Sequence, residues 1–496
     1  MHAIVIGGGF GGIASALRLR AQGYQVSLLE RGAALGGRAQ VFEREGFRHD
    51  AGPTVVTAPF LFDELFELFG ERREDHLKFV PLTPWYRFRY ADGDTFDYGG
   101  TLEDTQKEIA RISPEDVQGY ERLVAHSKKL YALGFDELAA KPFHRLGLMI
   151  KNLPALARLR GDRSVWDMVC KFLKHDKLRQ AFSIQPLLVG GNPFNTTSIY
   201  ALIHYLERAH GIHFAMGGTG AIVSALEGLL KRQGVDILTE HSVKQLRHQG
   251  RQITGVELES GQVMEADLVV FNGDPMHLYR HMLPEQSLPL SLKLKRQSKL
   301  SMGLYVLFFG TDAQYPDVAH HTIWLGKRYK GLLADIFDKK TLSEDFSLYV
   351  HRPTATDPSF APQGKDSFYV LAPVPHQGGN INWAEEEPKL RARIIEALDQ
   401  TMLPGLKANI RADFAMTPDD FAEDYLSHLG AGFSIAPLFT QSAWFRFHNR
   451  SEGFDNLLLA GAGTHPGAGM PGVLSSAKVV ETLAAEYAAQ FEGQTA

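Results

Sequence analysis

The turn Gly7-Gly8-Gly9-Phe10-Gly11-Gly12 constrains this chain more than any other stretch. It follows a short apolar run, residues 2–6, and leads into residues 11–22, whose apolar positions recur at helical spacing until Gly23 closes the pattern. Residues 24–30 are strand-like again, so the order is strand, helix, strand, the opening of a parallel α/β sheet. Within the turn, Gly7, Gly9 and Gly12 spell G-x-G-x-x-G. Glycine serves three ends there: a tight turn, close backbone approach to a pyrophosphate, and close packing of helix on strand, with phosphate facing the helix N-terminus. Glu30 ends the second strand-like run 18 residues after Gly12, with Arg31 beside it, and is placed to accept a hydrogen bond from a ribose hydroxyl. Motif and context together indicate a dinucleotide site.

Downstream come Gly36-Gly37-Arg38 and Asp50-Ala51-Gly52-Pro53-Thr54. Arg38 supplies a fixed cation for a diphosphate, and the glycines before it let backbone approach one. A second strand-rich block opens at Met216-Gly217-Gly218-Thr219-Gly220, continues through a helical pattern over 221–233, and then shows four strand-like runs, 235–238, 242–247, 253–259 and 266–272. Near the C-terminal end, 456–460 is a buried-strand run that feeds a glycine-rich loop, Gly461 to Val473, with a helix expected from about Leu474. That loop sits between strand and helix, where backbone can approach a ligand closely. Only one dinucleotide fingerprint is present, so electrons are expected to enter from an organic substrate and not from a nicotinamide.

The 52 basic and 57 acidic side chains leave a net charge of −5, which does not recruit polyanions, so nucleic acid is not expected as a partner. Length suits two to four lobes. The single cysteine, Cys170, closes no intrachain disulfide and has no Cys/His cluster at zinc-finger spacing beside it, so no metal site is read and a reducing, cytoplasmic compartment is expected. The N-terminus shows no cationic leader or apolar h-region. The longest apolar run, 302–310, falls far short of the roughly 18–20 residues of a spanning helix.

Taken together, the glycine turn, Gly36-Gly37-Arg38 and Asp50-Ala51-Gly52-Pro53-Thr54 resemble the flavin-containing amine oxidase and phytoene desaturase superfamily. Further stretches narrow the resemblance to bacterial-type phytoene desaturases: Leu187-Leu188-Val189-Gly190-Gly191-Asn192-Pro193-Phe194, Ser198 to His204, Ser343 to Tyr349, Tyr369 to His376, Gln441 to Arg446, and above all Gly463-Thr464-His465-Pro466-Gly467-Ala468-Gly469-Met470-Pro471-Gly472. The likeness runs the length of the chain and is weakest around residues 100–165.

The resemblance implies an α/β fold with a discontinuous Rossmann-like FAD-binding domain (1–72, 214–275 and 450–496), a β-sheet substrate domain (73–90 and 276–449) and a helical lid or membrane segment (91–213). It implies FAD as cofactor, held by Gly7, Gly9, Phe10, Gly11, Gly12, Glu30, Arg31, Gly37, Arg38, Pro53, Thr54, Val55, Val243, Asn272, Gly461, Ala462, Thr464, Gly472 and Val473. The activity it implies is stepwise dehydrogenation of phytoene, an apolar forty-carbon polyene, toward neurosporene or lycopene, with a quinone or oxygen taking the electrons. An amine oxidase, a carotenoid isomerase, a desaturase of another carotenoid and a non-catalytic isoprenoid-binding escort are the alternatives. An unfunctionalised hydrocarbon can be held only by burial of apolar surface, so a long apolar tunnel is expected. Leu187, Phe308 and Phe309 could line it or be core. No catalytic base is assigned. Asp50 is read as capping the turn that follows it, and His465 either as a proton shuttle or as a hydrogen-bonding partner of loop backbone.

Residues 141–163 interleave Lys141, Arg145, Lys151, Arg158, Arg160 and Arg163 with leucines, Met149 and Ile150. Such a basic amphipathic stretch suits an anionic lipid surface, so the protein is expected to sit peripherally on the inner face of the cell membrane. Pro154 is expected to break the stretch into two short helices. The tail after Ala488 is expected to fray.

Overall fold

The computed structural model describes residues 1–495, with side chains described through residue 490. Its nucleotide-facing layer is a five-stranded parallel sheet in the order Leu457–Leu459, Leu268–Phe271, His2–Ile6, Gln25–Leu29, Asp236–Leu238. Strands from both ends and the middle of the chain thus complete one sheet. All but the edge strand Asp236–Leu238 are almost wholly buried, as a parallel sheet covered on both faces requires. Alternation divides the two faces. Ala3, Val5, Val26, Leu28, Val270 and Leu458 pack beneath the helices Phe10–Ala21, Gly218–Arg232 and Met470–Thr495. Ile4, Ile6, Leu29, Val269, Phe271 and Leu459 face the other way, onto Leu246, Ile253, Val256 and Leu258 of a three-stranded antiparallel sheet, Val243–Gln249, Gln252–Leu258 and Val263–Glu265. The last of these strands falls in a polar stretch that reads as turn. Gly255 to Glu257 offer it a backbone ladder, and Met264 alone of its side chains packs, half-buried, against the core.

A second, seven-stranded sheet runs Ile410–Met416, Gly303–Thr311, Asp366–Val374, Leu348–His351, His321–Leu325, Tyr86–Tyr90, Thr95–Tyr98. All pairings are antiparallel except that of His321–Leu325 with Tyr86–Tyr90. Tyr305, Leu307 and Phe309 point to the helix Trp383–Thr401, while Leu304 and Val306 point the other way. Thr95–Tyr98 carries this sheet past residue 90, into the stretch expected to be helical. Beyond it, residues 102–210 are mainly helix: Leu102–Ile112, Val117–Tyr131, Leu146–Arg158, Val165–Phe172, Asp176–Phe182 and Leu202–His210.

Two expectations about helices are corrected. Leu146–Arg158 is one helix with Pro154 inside it, not two. Proline deprives the Ile150 carbonyl of its partner, but Ile150 is 57% exposed and water can take that place, while Asn152 Nδ2 donates to the carbonyl of Leu148 at 2.9 Å. The C-terminal helix starts at Met470, not Leu474, because Pro471 falls in its first turn, where no N–H is needed. It continues to Thr495, through the tail expected to fray, whose last residue and last side chains lie outside the described residues.

Candidate active site

A cavity of about 610 Å³ is walled by Ile6, Leu29 and Phe271 of the parallel sheet, by Leu304, Val306 and Ile323 of the seven-stranded sheet, and by the helical region through Leu138, Leu156 and Ile203. Its polar end lies at the C-terminal ends of the parallel strands, the position where open α/β sheets bind ligands. Gly7, Gly9, Phe10, Gly11, Glu30, Arg31, Gly37, Arg38, Pro53, Thr54, Val55, Val243, Asn272, Gly461, Ala462, Gly472 and Val473 all line it. Gly12 and Thr464 stand behind the wall. A Cβ on Gly12 would lie 1.9 Å from the Gly7 carbonyl oxygen, so this glycine sets how closely helix meets strand. Thr464 is fully buried and donates through Oγ1 to the Gly461 carbonyl at 2.9 Å, shaping the C-terminal loop from within.

The polar end is built to receive an anion. Gly7 adopts φ +98°, which favours glycine, and a Cβ on Gly11 would meet Asn272 Oδ1 at 2.4 Å. The helix Phe10–Ala21 begins without a side-chain cap and without an acidic residue in its first turn, leaving N–H groups for a ligand. Glu30 is fixed from both sides: Oε2 accepts from Gly8 N and Oε1 from Gly32 N, each at 2.7 Å, with lone pairs left for a hydroxyl. Among the described residues no carboxylate lies within 4.0 Å of Arg38. Its guanidinium donates to Ser427 Oγ at 3.4 Å, and burial holds it below its ordinary pKa. An unpaired cation in such a place gains most from a bound anion.

The other end is apolar. Leu187 lines it, whereas Phe308 is core, stacked on Phe414 at 4.7 Å between ring centroids, and Phe309 stacks on Phe368 on the far side of the sheet. Polar side chains there are few and tied down. Thr54 Oγ1 lies 2.9 Å from the Tyr349 hydroxyl, which lies 2.7 Å from His321 Nδ1. Glu207, wholly buried, receives a hydrogen bond from Tyr86 at 3.4 Å, and burial pushes its pKa up to about 8, so it is mainly a neutral acid at pH 7. Nothing in the sequence pattern singles out Glu207, because a carboxylate on a helix ordinarily reads as a solvated position. His465 Nε2 contacts the Leu138 carbonyl at 3.0 Å, and burial lowers its pKa to about 4. The backbone-bonding reading of His465 holds, though its partner belongs to the helical region and not to its own loop. Asp50 lies outside the cavity wall. Its Oδ1 accepts from Thr219 N at 3.0 Å and Thr219 Oγ1 at 2.9 Å, so it caps the helix Gly218–Arg232 instead of the turn that follows it. Burial pushes the Asp50 pKa up to about 7.

Sequence reasoning also missed Arg446, quoted above only as part of a stretch. Its guanidinium is 1% exposed and donates to the carbonyls of Thr464 (2.9 Å) and Ala462 (2.7 Å), so a buried cation moulds the C-terminal glycine loop.

The family model described as flavin containing amine oxidoreductase matches residues 10–480. The chain belongs to that family. Within it, the chain is 46% identical to a lycopene-forming phytoene desaturase of Paracoccus sp., over 96% of this chain and 95% of the relative. It is 42% identical to a neurosporene-forming phytoene desaturase of Cereibacter sphaeroides, over 97% and 94%. Among solved structures, the fold resembles cyclohexylamine oxidase from Brevibacterium oxydans, with a TM-score of 0.64 at 17% identity, covering 98% of this chain and 99% of that one. Membership of the family makes the chain an FAD-dependent oxidoreductase, with a mixed α/β fold.

The cavity fits the cofactor: a close backbone cradle that a Cβ would fill, an uncapped helix start, an anchored acid and a cation without a carboxylate partner stand side by side. Replacing Arg38 with alanine is expected to weaken FAD binding about 10- to 100-fold, the worth of hydrogen bonds from a charged donor. Titrating apoprotein with FAD checks this.

Proposed function

We propose that the chain is a phytoene desaturase that removes hydrogen stepwise from the forty-carbon polyene to give neurosporene- or lycopene-type carotenoids. The observation that carries this reading is the cavity itself, in which the glycine-lined polar end is continuous with an apolar chamber. FAD, when bound, supplies the acceptor for hydride. The residues do the rest. Backbone at Gly9 to Gly11, with Arg38, holds the diphosphate, Glu30 accepts from the ribose, and Pro53, Thr54 and Val55 flank the reacting end. Ile203, Leu304 and Val306 bury the hydrocarbon and exclude water, at about 25 cal/mol per Å² of apolar surface. The aromatic rings of Tyr86, Tyr349 and Tyr369 in the wall supply π-electron density that would stabilise positive charge developing on the polyene. In this reading the parallel-sheet segments form the FAD domain and the seven-stranded sheet the substrate domain.

The test is direct. Purified protein is supplied with FAD and with phytoene in liposomes, anaerobically with a quinone and separately with oxygen, and the visible bands of the products are followed. Coloured polyenes are expected only when FAD is present, and the two arms identify the electron acceptor. Retention of FAD with no coloured product in either arm overturns the assignment of phytoene and favours another carotenoid or an escort role.

Delivery of an insoluble substrate requires a lipid surface. Among the described residues no helix is long and apolar enough to cross a membrane. The helix Leu146–Arg158 instead offers a surface contact: Leu146, Ile150 and Leu153 are 47%, 57% and 42% exposed along one face, while Met149 and Leu156 are buried on the other and Leu156 lines the cavity. Basic residues Arg145, Lys151 and Arg158 accompany the outer face. Peripheral attachment there sets the cavity against the bilayer. Ile150→Glu with Leu153→Glu is expected to lower co-sedimentation with anionic vesicles at least tenfold, each side chain contributing about 1.5–3 kcal/mol when buried. Unchanged sedimentation removes this surface from consideration.

A further inference from the structure

Three histidines cluster outside the cavity. His321 opens the strand His321–Leu325 with His320 immediately before it, and His351 ends the neighbouring strand Leu348–His351, directly opposite His321 in register. One ligand nitrogen from each ring lies within 4.8 Å of the other two. Three points so spaced always share a position within about 2.8 Å of all of them, and imidazole binds zinc at about 2.0–2.1 Å, so a movement of about 0.7 Å per ring closes the site.

The polar atoms make the stronger case. All three side chains are buried, at 5%, 0% and 1% exposure for His320, His321 and His351. Nδ1 of His320 lies 2.7 Å from Thr356 Oγ1, and Nδ1 of His321 lies 2.7 Å from the Tyr349 hydroxyl. If each Nδ1 carries the proton, both hydroxyls accept and both Nε2 atoms are free to ligate, and Nε2 of each ring indeed has no hydrogen-bond partner. Both nitrogens of His351 are likewise unpartnered, as is Asp50 Oδ2, which stands 4.0 Å from His351 Nε2. Five such atoms in one buried place cost about 1–3 kcal/mol each unless something satisfies them. Hydroxyl partners on the outer nitrogens fix ring tilt as the outer partners of metal-bound histidines do. Burial also lowers the pKa of all three imidazoles, keeping them in the neutral form that binds metal.

We propose that His320, His321 and His351 hold a divalent transition-metal ion of the zinc class, with Asp50 as the carboxylate beside it. Three imidazoles suit Zn²⁺ in tetrahedral geometry with a water in the fourth position, and Asp50 Oδ2, 4.0 Å from His351 Nε2, adds a carboxylate at the margin of the trio. The ion pins two adjacent strands, and through the chain His321, Tyr349, Thr54 it braces a loop in the cavity wall. Its role is structural, since none of the three histidines lines the cavity.

The test uses full-length, FAD-loaded protein made without a metal-chelating tag, in medium supplemented with Zn²⁺ or Co²⁺ and then dialysed. About one equivalent of metal per chain is expected, with the intense visible bands of tetrahedral Co²⁺ in the second case. In His320→Gln and His351→Gln chains metal content is expected to fall at least tenfold, with flavin content read alongside. Wild-type protein that carries less than about a tenth of an equivalent from either medium overturns the proposal, as does equal metal in the folded variants. Should a variant fail to fold, the wild-type stoichiometry and Co²⁺ spectrum decide by themselves.

Discussion

A Gly12→Ala chain is expected to purify colourless. The new methyl group would stand 1.9 Å from the Gly7 carbonyl oxygen and 3.1 Å from Asn272 Nδ2. Neither neighbour can withdraw. Gly7 N donates to the Leu29 carbonyl at 2.8 Å, tying it to the sheet, and its own oxygen accepts from Asn272 Nδ2 at 3.2 Å. The helix Phe10–Ala21 must therefore retreat by about 1.5 Å to restore ordinary contact, carrying its N–H groups away from the phosphates. A misplacement of that size costs about 100-fold or more at a site built for fixed geometry, with about 1–3 kcal/mol of overpacking strain in addition. FAD titration of the apoprotein measures the first and urea unfolding the second. Gly147→Ala is the control, because a Cβ there meets nothing within 4 Å and its helix gains about 0.5–1 kcal/mol. Wild-type FAD affinity in Gly12→Ala would mean that the turn is not the cradle.

Stability is expected to collapse on mild acidification. His49, His204 and His465 are held near pKa 4 and His321 near 3 by burial, and His320 and His351 are lowered well below their ordinary value by the same cause. The folded state keeps these rings neutral while the unfolded chain protonates them near 6.5, so their contribution is whole above pH 6.5 and is lost as pH falls. Asp50 and Glu207 act in the opposite sense. Their folded pKa values are raised to about 7 and about 8, so they favour the folded state toward low pH and offset two of the six protons. For these eight groups alone about four protons are then taken up on unfolding between pH 6 and 5, or about 5 kcal/mol of stability per pH unit, and His277 and His376, also held near 4 by burial, steepen the slope. Urea midpoints across this interval measure the slope, and a flat profile would show that these rings are not buried neutral.

Glycine carried most of what could be read beforehand. The cofactor turn, the Gly36-Gly37-Arg38 segment and the C-terminal loop are written in residues whose backbone demands are local, so their place around one cavity could be expected before any coordinates. Two assignments slipped behind the wall, Gly12 and Thr464, because a motif says which residues shape a ligand site without saying which of them touch it. The apolar chamber was illegible at the level of residues: Leu187 and Phe308 carry the same apolar character, and it is the short helical turn Gln185–Val189 that brings the first to the cavity and the packing of Phe308 on Phe414 that keeps the second in the core. Buried polar groups were the least readable. Glu207, Arg446 and the histidine trio sit at positions that a single sequence treats as ordinary, since their burial depends on elements distant along the chain. Pro154 marked a break that did not occur because its helix is open to water on the side where the lost hydrogen bond lies.

The parallel sheet takes its edge strand, Leu457–Leu459, from far along the chain and sets it beside Leu268–Phe271, which in turn pairs with the strand that begins at residue 2. During synthesis the earlier strands of the nucleotide fold therefore wait, with an open hydrophobic margin along Leu268–Phe271, until residue 459 has left the ribosome. Nascent chains of this protein should depend on chaperones for most of their time in translation, and premature termination even a few dozen residues early should yield polypeptides that never acquire their coenzyme.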